Sequence, residues 1–474
     1  MHDPRYDCIK EFCWNSREEF ESSQSLFASP DWLAAIKADE AKFLPRMEIR
    51  CAPGLCIIRP WALAVKQCIL ISIISTNVFK KRESKMTSTE FDCSDIDQHL
   101  GKVMDSSQIR EPVRNNDFRR WVHAMHYPNR LHYDPNFAAA SRWGRLVAPQ
   151  SFPIVTDDGH GAAPTCVGKI ENSHLLFGGD EWWFYGPRIF DGDLIYNERI
   201  PFDYVVKETG FAGPTCFQRG DNNYYKEDGT PIARQRSTSI RYRAEAGGDN
   251  VDTTQFDEPP WTDEEIVTME ERRLSWVKML HDLGHAERWW DDIHVGDTLP
   301  ERVFGPHSVA SFATEWRAYL MTIWGAIDFR KQDLEGMGFT REMAGWENDP
   351  DMMISNPFVT DGAYYGPSRG HLFPAFARRI GMPRAYGYGA SMGAWVTDYL
   401  SGWCGEHGMV VHSVANYRAP ALSGDVTVQS AEVVEKTIDD DGRHIIKVKH
   451  AMENQRGAVM CTGTAELELP KKPY

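Results

Sequence analysis

The sequence predicts an α+β fold in which an antiparallel sheet wraps a long buried helix, and it predicts that arrangement twice. Three observations carry the reading. Gly381 to Gly408, GMPRAYGYGASMGAWVTDYLSGWCGEHG, sets Met392, Trp395, Val396, Tyr399, Leu400 and Trp403 at the three-and-four spacing of an amphipathic helix. After it, VVHSVANYRAP, SGDVTVQSAEVVEK, HIIKVKHAM and AVMCTGTAELEL alternate as successive strands. The region from Asp95 to about Ala246 has the same order, helices first and a meander second.

Each element has its own justification. Residues 1–85 carry no long periodic pattern, and Met86 opens MTSTEFDCSDIDQHLGK in the manner of a natural start. Residues 1–85 are therefore expected to be poorly ordered or untranslated. Within them Cys68 to Phe79 is apolar but too short to span a membrane and too far along to be a secretory signal. Residues 86–249 form the expected N-terminal domain. Phe118 to Met125 reads as a short helix, and NRLHYDPNFAAASRWGRLVAPQSFPIV as a loop, a second helix and the start of a third. DEWWFYGPRIFDGDLIYNERIPFDYVVKE reads as two strands turning at Asp191, Gly192 and Asp193, and Asp228-Gly229 marks a further hairpin. Residues 250–290 are read as a linker and helix, with Thr262 and Glu265 in capping-box spacing. Residues 291–474 form the expected C-terminal domain. Gly387, Gly389 and Gly393 permit close approach at the start of its helix, and Gly405 and Gly408 suit its end.

Composition narrows the function. A net charge of −16 over 474 residues argues against a nucleic-acid surface, while leaving room for a local basic patch. The 10 cysteines form no compact framework, so reduced thiols in a cytoplasmic protein are expected. Cys8 with Cys13 and Cys51 with Cys56 share a spacing, but no histidine pattern completes a zinc site. His123, His126 and His132 also lack completing ligands, and no metal is expected.

Several blocks resemble a known family. ERWWDDIHVGDTLPERVFGPHSVASFATEWRAY, HLFPAFARRIGMPRAYGYGASMGAWVTDYLSGWCGEHG and YRAPALSGDV look like the MaoC-like dehydratases. NRLHYDPNFAAASRWGRLVAPQSF, EWWFYGPRIFDGD and YYKEDGTPIA resemble the dehydratase domain of fungal fatty-acid synthase, as the N-terminal half of such proteins does. The resemblance covers about residues 95–467. It implies a double hot-dog fold, two antiparallel sheets each wrapped around a long central helix, with an acyl thioester between the halves. It also implies reversible hydration of an enoyl thioester, with a histidine and a carboxylate managing the water and helix N–H groups receiving enolate charge. Coenzyme A or an acyl carrier enters as part of the substrate, and no other cofactor is implied. A homodimer, or a heteromer with a related hot-dog protein, is expected; stable membrane insertion is not.

The family motif D-x-N-P-x-H is incomplete in both halves. YPNRLHYDPNFA keeps Asn129, His132, Asp134, Pro135 and Ala138, with Tyr127 in place of the aspartate. GPSRGHLFPAFA keeps His371, Pro374 and Ala377, with Gly366 in that place. His371 is the preferred base and Gly389 the oxyanion residue, with Asp361 or Tyr127 as partner and His132 as the second imidazole. Asn129, Ser391 and Arg418 are expected at the substrate, Arg418 toward a coenzyme A phosphate. The missing aspartate keeps open a non-catalytic thioester-binding subunit. Gly389-Ala390-Ser391-Met392-Gly393 also has the G-x-S-x-G form of a serine hydrolase, with Asp425 and His450 following in order, but that fold's alternating strands and helices are missing.

Overall fold

The computed structural model describes residues 49–52, 55–58, 91–104, 107–108, 111–156, 161–171, 173–323, 369–372 and 374–473. The chain forms two compact units, Met1–Glu90 and Phe91–Tyr474. In the first, strands β1 (Ile49–Ala52) and β2 (Leu55–Ile58) make a hairpin with Cys51 opposite Cys56.

The second unit is α+β. Ten strands form one antiparallel sheet: β3 (Ser107–Gln108), β4 (Ser173–Phe184), β5 (Ile195–Thr209), β6 (Gly213–Lys226), β7 (Pro231–Arg243), β8 (Thr298–Phe304), β9 (Met409–Tyr417), β10 (Thr427–Ile438), β11 (His444–Asn454) and β12 (Val459–Glu468). Their order across the sheet is β3-β5-β6-β7-β4-β9-β12-β11-β10-β8. The turn at Asp228-Gly229 joins β6 to β7, with Gly229 at φ 83°. Besides a short helical turn at Ala244–Asp249, the helices are α1 (Asn115–Ala124), α2 (Pro135–Ala140), α3 (Asp263–Leu283), α4 (Val309–Ile323), α5 (Pro374–Arg379) and α6 (Gly389–Cys404). Thr262 caps α3 with the reciprocal Glu265 contact its spacing predicts. No described helix is long and apolar enough to cross a membrane.

Two expectations need correction. The halves do not make two separate sheets. Strand β4 of the first pairs with β9 of the second, Gly179 opposite Asn416 and Trp183 opposite His412. The pairing satisfies two strand edges that would otherwise present open backbone groups. Nor does each half carry a long central helix among the described residues. Where the sequence suggests a third helix in the first half, the structure has a five-residue 3-10 turn, Phe152–Thr156.

Helix α6 is buried on every side rather than along one stripe. Strands β4, β9 and β12 lie against it. It also meets β8 and α3: Phe304 packs edge-on to Trp395 at 4.8 Å, and Trp276 packs on Tyr399 at 5.1 Å. Several of its polar atoms find internal partners. Thr397 donates to the Gly393 carbonyl, and Ser151 donates to Asp398 at 2.7 Å. The buried Arg302 guanidinium ties this arrangement together, donating to the carbonyls of Trp395 (2.9 Å), Met125 (2.7 Å) and His126 (3.0 Å).

The seam between halves depends on a glycine. A Cβ on Gly179 would lie 2.6 Å from the Ala415 carbonyl oxygen, a backbone atom with little room to retreat. Gly179→Ala is expected to destabilise the protein by about 1–3 kcal/mol, as forced overpacking does, read as a lower denaturant midpoint with an unchanged m-value.

Candidate active site

A cavity of about 540 Å³ opens beside the start of α6. Its walls come from both halves: His174 to Phe177 of β4 and Ile240 of β7 on one side, His371 and the Tyr386–Ala390 segment on the other. A pocket of this size, mostly apolar with a few polar groups, suits a small organic ligand.

His371 is the best-defined polar group there. It ends a short 3-10 turn, Arg369–His371, just before α5. Its Nδ1 lies 2.7 Å from the Tyr386 carbonyl oxygen. A carbonyl only accepts, so Nδ1 carries the proton and Nε2 keeps the lone pair. Burial pushes the imidazole down to about 3, opposed by that hydrogen bond. His371 is therefore neutral at physiological pH. Tyr388, the residue before α6, stacks obliquely on it at 3.7 Å.

Gly389 opens α6 and lines the cavity. The Tyr388 side chain does not cap this helix start, where the positive end of the helix dipole favours an anionic oxygen. A Cβ on Gly389 would lie 2.3 Å from Phe177 Cβ, so the glycine is required for β4 to reach the helix. Arg418 lines the same cavity from an exposed position. Ser391 is fully buried in the first turn of α6 and faces Glu315 of α4. Burial pushes that carboxyl up to about 8.

The structure does not bring the first-half candidates to this cavity. His132 and Tyr127 pack together at 5.3 Å, and Tyr127 lies against Gly402, near the far end of α6. Gly402 lies thirteen residues beyond Gly389, about 20 Å along the axis. His132 Nδ1 lies 2.7 Å from the Val147 carbonyl, and burial pushes its imidazole down to about 3. Asn129 donates to the Tyr127 hydroxyl at 3.0 Å, and the space beside it is about 20 Å³, room for a single water. The two histidines are nonetheless related. Each bonds a carbonyl fifteen residues on, 132 to 147 and 371 to 386, and each precedes a Pro-initiated helix with a buried alanine, Ala138 or Ala377.

Asp361 lies outside the described residues. The carboxylate that does line the cavity, Asp252, is occupied at the rim by Thr254 and Gln255. Asp425 pairs with Arg384 and Gln455, while His450 Nε2 lies 3.0 Å from the Val414 carbonyl and its Nδ1 has no partner among the described residues. Ser391, Asp425 and His450 are thus not assembled as a hydrolase triad. No group of three or more metal-ligating side chains occurs among the described residues. Sequence reasoning missed His174. It sits in the ordinary alternation of β4, and no motif marks it.

Comparison with known proteins adds to this picture. Residues 98–235 match the family described as FAS1-like, dehydratase domain region. No curated protein matches the sequence. Among solved structures, a MaoC-like dehydratase is similar at 15% identity and a TM-score of 0.49, covering 80% of this chain and 100% of that one. A MaoC domain protein dehydratase from Chloroflexus aurantiacus is similar at 12% identity and 0.45, covering 82% and 100%. A MaoC-like dehydratase from Phytophthora capsici is similar at 10% identity and 0.42, covering 80% and 98%. At these scores the fold rests on the chain's own strand order and packing.

The buried ionisable groups generate one prediction and the helix-start glycine a second. His132, His174, His307, His371 and His450, five buried histidines, lie at about 3 to 4, below their ordinary 6.5. Between about pH 4 and 6.5 the unfolded chain protonates them and the folded one does not, so stability rises with pH. Asp180, Asp398 and Glu315 work oppositely, raised by burial to about 7, 7 and 8, and the stability they contribute is lost as pH climbs from about 4 to 8. Five outnumber three below 6.5, and only the carboxyls act above it. Tm measured from pH 4 to 9 is expected to peak at about pH 6.5. Gly389→Ala is expected to push β4 off the helix start, seen as Tm loss corresponding to about 1–3 kcal/mol.

The family match over residues 98–235 thus bears out the resemblance of the first half to a fatty-acid-synthase dehydratase region.

Proposed function

We propose that this protein adds water to, or removes it from, an acyl thioester, as an enoyl-thioester hydratase or 3-hydroxyacyl-thioester dehydratase. The observation that carries the reading is His371: a neutral imidazole with Nδ1–H fixed on the Tyr386 carbonyl, beside an uncapped helix start in a cavity large enough for an acyl group. Nε2 takes a proton from water as the oxygen adds to the β-carbon. The thioester oxygen lies against the N–H groups at Gly389, where the helix end receives the enolate charge. That charge raises the proton affinity of the nearby imidazole during the step, offsetting the depression caused by burial.

The acyl chain occupies the apolar wall of Leu175, Leu176, Phe177, Phe211 and Leu422. Arg418, exposed at the cavity, meets a phosphate of coenzyme A or of a carrier's prosthetic arm. Neither metal nor redox cofactor takes part. His132, Tyr127 and Asn129 hold the far end of α6 rather than the reacting atoms.

A second reading is supported by one observation: the single carboxylate among the described lining residues, Asp252, is occupied by its own turn. On that reading the chain binds the thioester and completes a site with a related hot-dog partner, or stands beside one as a non-catalytic subunit.

Hydration of trans-2-enoyl-CoA esters, followed by absorbance, separates the two. His371→Ala is expected to lower kcat by about 100- to 10,000-fold while leaving the fold intact. Binding of the esters without turnover by the wild-type protein would favour the subunit reading.

A further inference from the structure

The step proposed for His371 leaves one buried polar group of the same cavity without a role. His174, second residue of β4, is 1% exposed and lines the wall facing the second half. Neither of its ring nitrogens has a hydrogen-bond partner among the described residues. Tyr242 meets its ring edge-on at 5.7 Å, and Leu175, Leu176 and Ile240 line the cavity nearby. Burial pushes the imidazole down to about 4, so it is neutral, with one nitrogen to donate and one to accept. An unmet donor and acceptor in an apolar wall cost free energy that a phenylalanine there would not. Their retention is explained if a partner arrives with the ligand.

The chemistry at His371 calls for such a group. An attacking water must be aimed as well as deprotonated: its two hydrogens need two acceptors so that a lone pair faces the β-carbon. His371 supplies one acceptor, and no described carboxylate of the cavity is free to supply the other. His174 and His371 line the same cavity, each coming from a different half.

We propose that His174 is the water-orienting group of this site, a deduction that rests on the hydratase reading. The imidazole acceptor of His174 takes one hydrogen bond from water, and Nε2 of His371 takes the other. The water oxygen then bonds to the β-carbon, and the carbon–carbon π pair shifts to place enolate charge on the thioester oxygen. One water proton moves to His371 Nε2 and passes to the α-carbon as the enolate collapses. The second hydrogen stays on oxygen as the product hydroxyl, held by His174. One water is added, and nothing is oxidised or reduced.

The test uses trans-2-butenoyl-CoA with the full chain, its His174→Phe and its His174→Gln variants. Phenylalanine keeps the ring and the packing on Tyr242, whereas glutamine keeps an acceptor. In the phenylalanine variant kcat is expected to fall by about 100-fold or more, with KM within about threefold and Tm not lowered. Glutamine is expected to restore kcat to within about tenfold of wild type. Wild-type turnover by the phenylalanine variant overturns the proposal. So do equal losses in both variants accompanied by a lower Tm, the pattern of a packing residue. Absence of wild-type turnover across enoyl thioesters sinks the hydratase reading and this inference with it, whereas an active wild type with an active phenylalanine variant sinks this inference alone.

Discussion

The structure depends on keeping α6 out of water on all sides. A helix so enclosed can carry large apolar side chains at every turn, but each polar atom it brings must find a partner inside the protein. Arg302 supplies much of the answer, gathering backbone carbonyls from α6 and from the end of α1. Ser151 and Thr397 account for others. The consequence is positional: a helix gripped at mid-length by both halves holds its uncapped start at a fixed place in the cavity wall.

Much of the fold was legible in the sequence because local periodicity decides it. The spacing of Met392, Trp395, Tyr399 and Trp403 predicts α6, and Gly405 at φ 72° ends it as expected. Alternation and the Asp228-Gly229 turn predict β6 and β7, and the second-half meander appears in the predicted order. The single sheet was not legible, since its seam joins residues 179 and 416, and no local pattern reports which distant edges meet. The all-round burial of α6 was hidden too, because the spacing of its large apolar residues reports only one face.

At the site the same division holds. His371, Gly389 and Arg418 line one cavity. His132 and Asn129 keep the family motif, with Tyr127 in the aspartate's place, yet all three are packed at the other end of α6, where a one-water space remains. Sequence similarity between the halves preserves the local turn, the carbonyl-bound imidazole and the Pro-initiated helix. Whether open volume lies beside that turn is a matter of tertiary packing. His174 shows the converse, a residue with no motif whose significance comes from where β4 runs.

Strand β4 has two duties, since its first residues wall the cavity while its middle forms the seam with β9. Cut between the halves, the chain would leave two fragments, each with a raw strand edge and half a ligand groove. The peptide linker raises the effective concentration of one half at the other far above what free fragments would reach. Assembly of the groove is thereby made part of folding, and the binding surface is complete as soon as the sheet closes.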